Sequence, residues 1–252
     1  KNIKVAPENI PAATQLFTPH WIVRYLVENS LGRLWMLNNP NSRLVDRMEY
    51  YIRPDQPEED FLKISSPEEI RVCDPACGSG HMLTYAFDLL YAMYEEAAYD
   101  PAEIPTKILT KNLYGIEIDE RAGSMAAFAL TMKARSKQRT FLNKKVQPNI
   151  SVLRKINVSH DELVNYLNHV CDDPNLFTLS EIVNQFADVD IAGSLLRPNG
   201  KNANYWWNQL KARNFADNMA LQTTHQAVLQ ALRQTEVLSS KYHVVIANPP
   251  YM

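Results

Sequence analysis

Apolar residues recur along this chain with two alternating patterns. Residues 21–35 (WIVRYLVENSLGRLW) repeat at helical spacing, whereas 70–73 (IRVC) form a short apolar run that ends in a glycine-containing turn. Helical spacing then returns over 81–98, where apolar residues recur at i, i+3 and i+4. The same alternation continues in the segments NLYGIEID, ERAGSMAAFALTMKARSK, NISVLRKI and YHVVIANPP. The pattern predicts four strands separated by helices.

Strands that alternate with helices are typical of α/β proteins, in which right-handed crossovers produce a parallel sheet. We therefore expect a doubly wound, mainly parallel sheet. Roughly 80 residues separate the third and fourth strands, far more than a usual crossover, and their periodicity is helical. Thr18 and Pro19 fit the N-cap and first position of the first helix. The predicted ranges are a helical N-terminal region at 1–69, a core at 70–157, a helical insertion at 158–240 and a fourth strand with its turn at 241–252.

Composition narrows the possible functions. The net charge of −2 gives no global attraction to nucleic acid or to an anionic membrane. The chain has no apolar run approaching 18 residues and no leader pattern, which predicts a cytoplasmic protein with no membrane contact. Cys73, Cys77 and Cys171 form no CxxC pair and have no histidine at zinc spacing, so the sequence predicts no metal site.

Two other features each allow more than one interpretation. Residues 122–160 contain eight lysines and arginines and no acid, which fits either a nucleic-acid contact or a solvated helix end. Trp206 and Trp207 in the helical insertion fit a core or a docking surface better than a stacking platform.

The turn DPACGSG after the first strand is a candidate ligand site, because ligands bind at the carboxyl ends of parallel strands. Gly78 and Gly80 allow close backbone approach, but a third glycine at dinucleotide spacing is missing. This favours a nucleoside without phosphate, whose amino group could pair with Asp74 and whose ribose hydroxyls could bind Glu117. S-adenosyl-L-methionine has these features, and Ile118 could pack on its adenine. The alternative is that the glycines only shape a turn and Glu117 caps the next helix.

Four motifs in order, FTP, DPACGSG, GIEID and NPPY, resemble those of the gamma-type amino-methyltransferases of DNA, which modify adenine N6. The resemblance extends from Phe17 to Tyr251 and implies a Rossmann-like class I methyltransferase core. The long helical insertion and the segment GIEIDERA are similar to the large methyltransferases of BREX phage-defence systems (the PglX type) and to the modification halves of fused restriction enzymes.

The resemblance implies a role for each motif. The cofactor-binding residues would be Thr18, Pro19, Asp74, Pro75, Ala76, Gly78, Gly80, Glu117 and Ile118. The catalytic turn would be Asn248, Pro249, Pro250 and Tyr251. In that turn, an amide oxygen and a backbone carbonyl accept hydrogen bonds from the target amine, and the tyrosine stacks on a base rotated out of the duplex. No acid follows the third strand in NISVLRKIN, so the third cofactor motif is left unassigned.

The resulting expectation is an adenine-N6 DNA methyltransferase for phage defence or restriction-modification. The alternatives are a protein-glutamine or RNA amino-methyltransferase, and a non-catalytic cofactor- or DNA-binding subunit. The family sheet continues past four strands, so we expect the chain to be a fragment that does not methylate DNA alone. Its expected partners are double-stranded DNA, through the full-length protein, and other subunits of a defence system.

Overall fold

Four parallel strands form the sheet of this protein, whose computed structural model describes residues 18–170 and 176–249. The strands are β1 (Val72–Asp74), β2 (Leu113–Glu117), β3 (Asn149–Val152) and β4 (Val244–Val245). Their order in the sheet is β3-β2-β1-β4, and helices surround the sheet. The predicted α/β, Rossmann-like class is therefore confirmed.

The strand order reverses at β1. The chain moves outward from β1 to β2 and β3, and then returns to place β4 on the other side of β1. The parallel register pairs Cys73 with Tyr114 on one side and with Val245 on the other. In open α/β sheets the ligand crevice lies at such a reversal, outside the carboxyl ends of the strands. Here these ends are Asp74 of β1 and the residues that follow Val245 of β4.

The chain divides into two units. The first contains the residues up to Ile116, then Glu120–Ile150, and then Tyr242 onward, and the second contains Glu117–Asp119 and Ser151–Lys241. Helices of the first unit are α1 (His20–Val27), α2 (Arg33–Asn38), α3 (His81–Glu96), α4 (Ile104–Lys107) and α5 (Glu120–Lys137). A π-helical turn at Glu28–Gly32 joins α1 to α2 without a break.

Helix α1 begins one residue later than the sequence predicts. Its N-cap is Pro19, whose carbonyl accepts the backbone N–H groups of Ile22 and Val23, and no side chain caps the helix. The predicted N-cap role of Thr18 is wrong. An extended ψ of 141° at Pro19 turns Thr18 out of line with the first helical turn. The Thr18 hydroxyl instead makes a tertiary contact, which is described below.

Helix α3 is the central packing element of the first unit. The apolar residues that its pattern selects are buried from Met82 to Tyr94, and Phe87, Leu90 and Met93 have no exposed surface. Because one side of this helix is packed along its length, the glycine turn before it has a fixed support. Of the apolar residues in the predicted pattern, only Ala97, which follows the last helical residue, is exposed.

Helices make up most of the second unit. They are α6 (His160–Val170), α7 (Leu176–Asn184), α8 (Val189–Ala192), α9 (Ala203–Leu210) and α10 (Met219–Ser239). Gln234 of α10 hydrogen-bonds the backbone N–H and carbonyl of Arg154, which ties the segment after β3 to that helix. The buried imidazole of His225 hydrogen-bonds the Tyr166 hydroxyl at 2.7 Å, and burial lowers the pKa of His225, so this imidazole is uncharged at neutral pH.

Candidate functional site

The turn from β1 to α3 is held by hydrogen bonds from its backbone N–H groups. The Asp74 side chain is 2% exposed, and its Oδ1 accepts the Ala76 N–H at 3.1 Å. Cys77 N–H donates to the Ile116 carbonyl of β2 at 3.0 Å, and Gly80 N–H donates to the Cys77 carbonyl at 2.8 Å. The Asp74 carboxylate is thus fixed at the carboxyl end of β1, where the sequence predicts a cation-binding acid.

The two glycines of the turn are needed for different reasons. Both have positive φ, 52° at Gly78 and 86° at Gly80. A Cβ at Gly80 would lie 3.0 Å from the Ala126 Cβ and 3.1 Å from its Cα, so α5 packs directly against this glycine. A Cβ at Gly78 would meet no protein atom within 4 Å. The space at Gly78 is therefore where a ligand could approach the backbone.

Alanine substitutions should separate the two roles. We expect Gly80→Ala to lower the free energy of unfolding by about 2–5 kcal/mol, because strain at positive φ adds to a clash with helix backbone. Gly78→Ala should lower the free energy of unfolding by only about 1–2 kcal/mol, because only the strain at positive φ applies. It should also weaken binding of S-adenosylmethionine. Denaturant unfolding and cofactor titration of both variants measure these effects. Equal stabilities of the two variants would contradict the assignment.

The predicted catalytic turn and the FTP motif contact each other through one described residue of each, Asn248 and Thr18. Asn248 follows β4, and its Nδ2 donates to the Oγ1 of Thr18 at 2.9 Å across 230 positions of sequence. Because nitrogen and oxygen branch from one carbon, this bond also fixes the direction of the Asn248 Oδ1. Within residues 18–170 and 176–249, that oxygen accepts no recorded hydrogen bond. Two motifs that the sequence only orders along the chain are thus in contact through these two side chains.

The end of β4 lies beside β1. Ile246 N–H donates to the Cys73 carbonyl at 2.9 Å, and this continues the strand pairing past Val245. Asn248 therefore follows a paired segment by two residues, on the same edge of the sheet as Asp74. Pro249 is exposed and is the last described residue, while Pro250 and Tyr251 lie outside the described residues.

Glu117 and Ile118 lie in the second unit. Glu117 is the last residue of β2, and its Oε1 accepts the backbone N–H groups of Ile118 and Asp119 at 2.8 and 3.0 Å. This carboxylate therefore closes the turn before α5, and the ribose-binding role of Glu117 stays a prediction. Ile118 is 50% exposed, and its adenine-packing role also stays a prediction.

A buried charged network, which the sequence reading missed, supports helix α1. Glu28 has no exposed surface, and its carboxylate accepts hydrogen bonds from Arg24 Nε (3.2 Å), the Tyr85 hydroxyl (2.5 Å) and the Tyr50 N–H (2.5 Å). Tyr85 belongs to α3, so the network joins the helix after Thr18 to the helix after the glycine turn. The i, i+4 spacing of Arg24 and Glu28 was the available signal.

The described part of the chain gives little support for a metal site, a nucleophilic cysteine or a membrane-spanning helix. No group of three or more His, Cys, Asp or Glu side chains among the described residues could hold a metal ion. Burial raises the pKa of Cys73 to about 12, so its thiol is protonated at neutral pH and is not a nucleophile. Cys77 is also buried and forms no disulfide within the described residues, and Cys171 is not described. No helix of the described residues is both long and apolar enough to cross a membrane.

Comparisons with known proteins identify one matching family and two curated relatives. Residues 61–172 match the family described as MmeI, DNA-methyltransferase domain. The chain is 36% identical, over 98% of its length, to the adenine-specific methyltransferase BrxX of Escherichia coli O9:H4 (strain HS). It is 33% identical, over its whole length, to the adenine-specific methyltransferase PglX of Lacticaseibacillus casei (strain Zhang). The chain spans 23% of the first relative and 22% of the second.

Proposed function

We infer that this chain, which is homologous to the adenine-specific methyltransferases BrxX and PglX over nearly its whole length, carries the catalytic site of a DNA adenine-N6 methyltransferase. The observation that carries the proposal is the hydrogen bond between Asn248 and Thr18 beside the point where the strand order reverses. We propose a cytoplasmic setting in phage defence or restriction-modification. Double-stranded DNA is the proposed substrate, and other defence subunits are proposed partners.

The turn after β1 fits the methionine end of S-adenosyl-L-methionine. Asp74 is a buried carboxylate suited to a cationic amino group, and the open space at Gly78 lets a ligand reach the backbone. The residues proposed to hold the cofactor are Thr18, Pro19, Asp74, Pro75, Ala76, Gly78, Gly80, Glu117 and Ile118. When bound, the cofactor supplies an electrophilic methyl group on its sulfonium.

The turn after β4 prepares the amine for attack. An exocyclic amine is a poor nucleophile because its lone pair is delocalised into the ring. The Asn248 Oδ1 and the Pro249 carbonyl would accept hydrogen bonds from the two N–H groups of the amine. These bonds would draw the amine nitrogen toward a tetrahedral geometry. Thr18 contributes by holding the amide nitrogen of Asn248, so that the oxygen is already oriented. Pro250 would stiffen the turn, and Tyr251 would stack on the base.

The choice of DNA adenine over other planar amines rests on the relatives. The turn itself also fits a protein glutamine or an RNA base. Both relatives are named adenine-specific methyltransferases, and the matching domain is described as a DNA methyltransferase. A non-catalytic subunit would not need an oriented acceptor at Asn248.

Calorimetry and methyl transfer together test the proposal. The whole protein should bind S-adenosylmethionine, and Asp74→Asn should weaken that binding by about 10- to 150-fold, the value of a hydrogen bond to a charged group. Asp88→Asn is the charge-matched control, because Asp88 is a half-exposed partner of Lys133. Tritiated-methyl transfer should label DNA, with N6-methyladenine as the product. Labelling of RNA or of a glutamine peptide instead of DNA would overturn the substrate, and a wild type without cofactor binding would overturn the proposal.

A further inference from the structure

A stretch of the second unit carries charge of one sign only. From Ile191 to Ala216 the sequence contains Arg197, Lys201, Lys211 and Arg213 but no aspartate or glutamate. The chain as a whole has a net charge of −2, so this is a local departure from its balance. An ordinary solvated surface carries both signs, and a uniformly basic segment indicates an anionic partner.

These cations are exposed, although the Lys211 Nζ donates one hydrogen bond to the Asn208 Oδ1 at 2.8 Å. That bond leaves two of the three N–H groups of the Lys211 ammonium for a ligand. All four side chains are exposed, and none forms an ion pair within the described residues. Cations of the first unit differ: Lys133 pairs with Asp88, Lys107 pairs with Glu68 at 2.8 Å, and Lys137 lies over the Tyr91 ring at 4.3 Å. The basic run at 122–160 is therefore partly committed to internal contacts, whereas the basic stretch of the second unit is available to a ligand.

Helix α9 gives this stretch a defined outer face. Ala203, Trp206 and Leu210 are buried, so the helix is anchored by one side. The exposed positions carry amides, an aromatic ring and a cation: Asn204, Tyr205, Asn208, Gln209 and Lys211. None of these exposed side chains is acidic.

Aromatic and cationic groups also meet at the edge of this face. The partly buried Trp207 ring lies under the guanidinium of Arg233 from α10, with 4.8 Å between the guanidinium carbon and the ring centroid. This stacking holds a fifth exposed cation in place beside α9. Trp206 is a core residue, whereas the docking-surface interpretation of Trp207 stays a prediction.

We propose that the exposed face of α9, with its flanking residues and Arg233, binds the phosphate backbone of DNA. This basic face of α9 is defined by Arg197, Lys201, Asn204, Tyr205, Asn208, Lys211, Arg213 and Arg233. Phosphates take most protein–DNA hydrogen bonds, and arginine, lysine, asparagine, glutamine and tyrosine are among their donors. The inference rests on the proposed function for its choice of polyanion. The proposed function makes DNA the expected polyanion, and binding of polyglutamate tests the alternative of an acidic protein.

Salt-dependent DNA binding tests the basic face of α9. The triple variant Lys201→Gln, Lys211→Gln, Arg213→Gln should bind a labelled duplex more weakly, whatever its sequence. Each lost phosphate contact should lower the slope of log affinity against log salt by roughly 0.9, so the triple variant should lose roughly 2 to 3. Fluorescence anisotropy between about 50 and 200 mM salt, a range in which such contacts change affinity strongly, measures this slope. Cofactor affinity and the unfolding midpoint should not change, because all three side chains are exposed.

A charge-matched control separates a local contact from a general charge effect. Arg43→Gln, Arg47→Gln, Arg53→Gln removes three exposed cations of the first unit and should keep the wild-type slope. Equal losses in both triple variants, or no loss in the first, would overturn the proposal. Binding of polyglutamate as tight as binding of DNA would also overturn it, in favour of an acidic polypeptide. If the protein bound DNA through this face but transferred no methyl group, the proposed function would fail while this inference stood.

Discussion

Asn248→Ala should abolish most methyl transfer while leaving S-adenosylmethionine binding nearly unchanged. The side-chain oxygen is the proposed acceptor for one N–H of the target amine, and removal of one preoriented group of this kind typically lowers turnover by about 10²–10³-fold. Single-turnover transfer of a labelled methyl group, measured with the whole protein, gives the rate, and calorimetry gives the cofactor affinity. Equal loss of transfer and of cofactor binding would instead make Asn248 a structural or cofactor-holding residue.

Thr18 variants provide the matched test of how the amide is oriented. Thr18→Val keeps the shape of the side chain but removes the oxygen that accepts Asn248 Nδ2 at 2.9 Å. One such hydrogen bond contributes about 1 kcal/mol, so transfer should fall roughly fivefold. Thr18→Ser retains a hydroxyl and should restore most of the rate. If valine and serine at position 18 gave the same rate, the hydrogen bond would have no part in orienting Asn248.

Glu28→Ala should destabilise the first unit by about 3–5 kcal/mol, the usual cost of removing one partner from a buried charged network. The change leaves the Tyr85 hydroxyl and the Tyr50 N–H without their acceptor, and Arg24 loses its buried partner. Burial and hydrogen bonding to Glu28 already raise the pKa of Tyr85 to about 12, so its hydroxyl remains a donor throughout the neutral range. Denaturant unfolding, followed by circular dichroism, measures the loss.

The exposed partner of the same arginine is the control. Arg24 Nη1 also pairs with Glu49 at 2.6 Å, but the Glu49 side chain is 64% exposed. Glu49→Gln should therefore lower the free energy of unfolding by only about 0–1 kcal/mol, because solvent screens an exposed ion pair. Similar losses for Glu28→Ala and Glu49→Gln would show that burial of Glu28 contributes nothing. Since α1 follows Thr18, Glu28→Ala should also slow methyl transfer at temperatures where the protein remains folded.

The strand, glycine turn and helix at the proposed cofactor site could be predicted because their causes are local. Apolar periodicity alone identifies α3, and the positive φ at Gly78 and Gly80 fits residues that lack a Cβ. The parallel sheet follows from the alternation of such units. Helix α4 was missed, because a helix of four residues is too short to show a period.

Contacts between distant residues could not be predicted in the same way. Thr18 was assigned to a helix N-cap, which is a local rule, but its hydroxyl bonds a residue 230 positions away. Glu28 carried no prediction, because carboxylates are rarely buried. The tyrosines and the arginine that make its burial favourable come from three separate segments. Motif order therefore predicts which residues belong to one site, but it does not predict which atoms contact each other.

The bond between Thr18 and Asn248 also has an evolutionary consequence. The Asn248 amide donates to the Thr18 hydroxyl. A substitution at position 18 that removes this acceptor therefore leaves the Asn248 amide without that hydrogen bond. Across many homologues we expect positions 18 and 248 to vary as a pair, with a hydroxyl residue retained wherever the asparagine is kept. Lineages that have abandoned the reaction should show relaxed selection at both positions together.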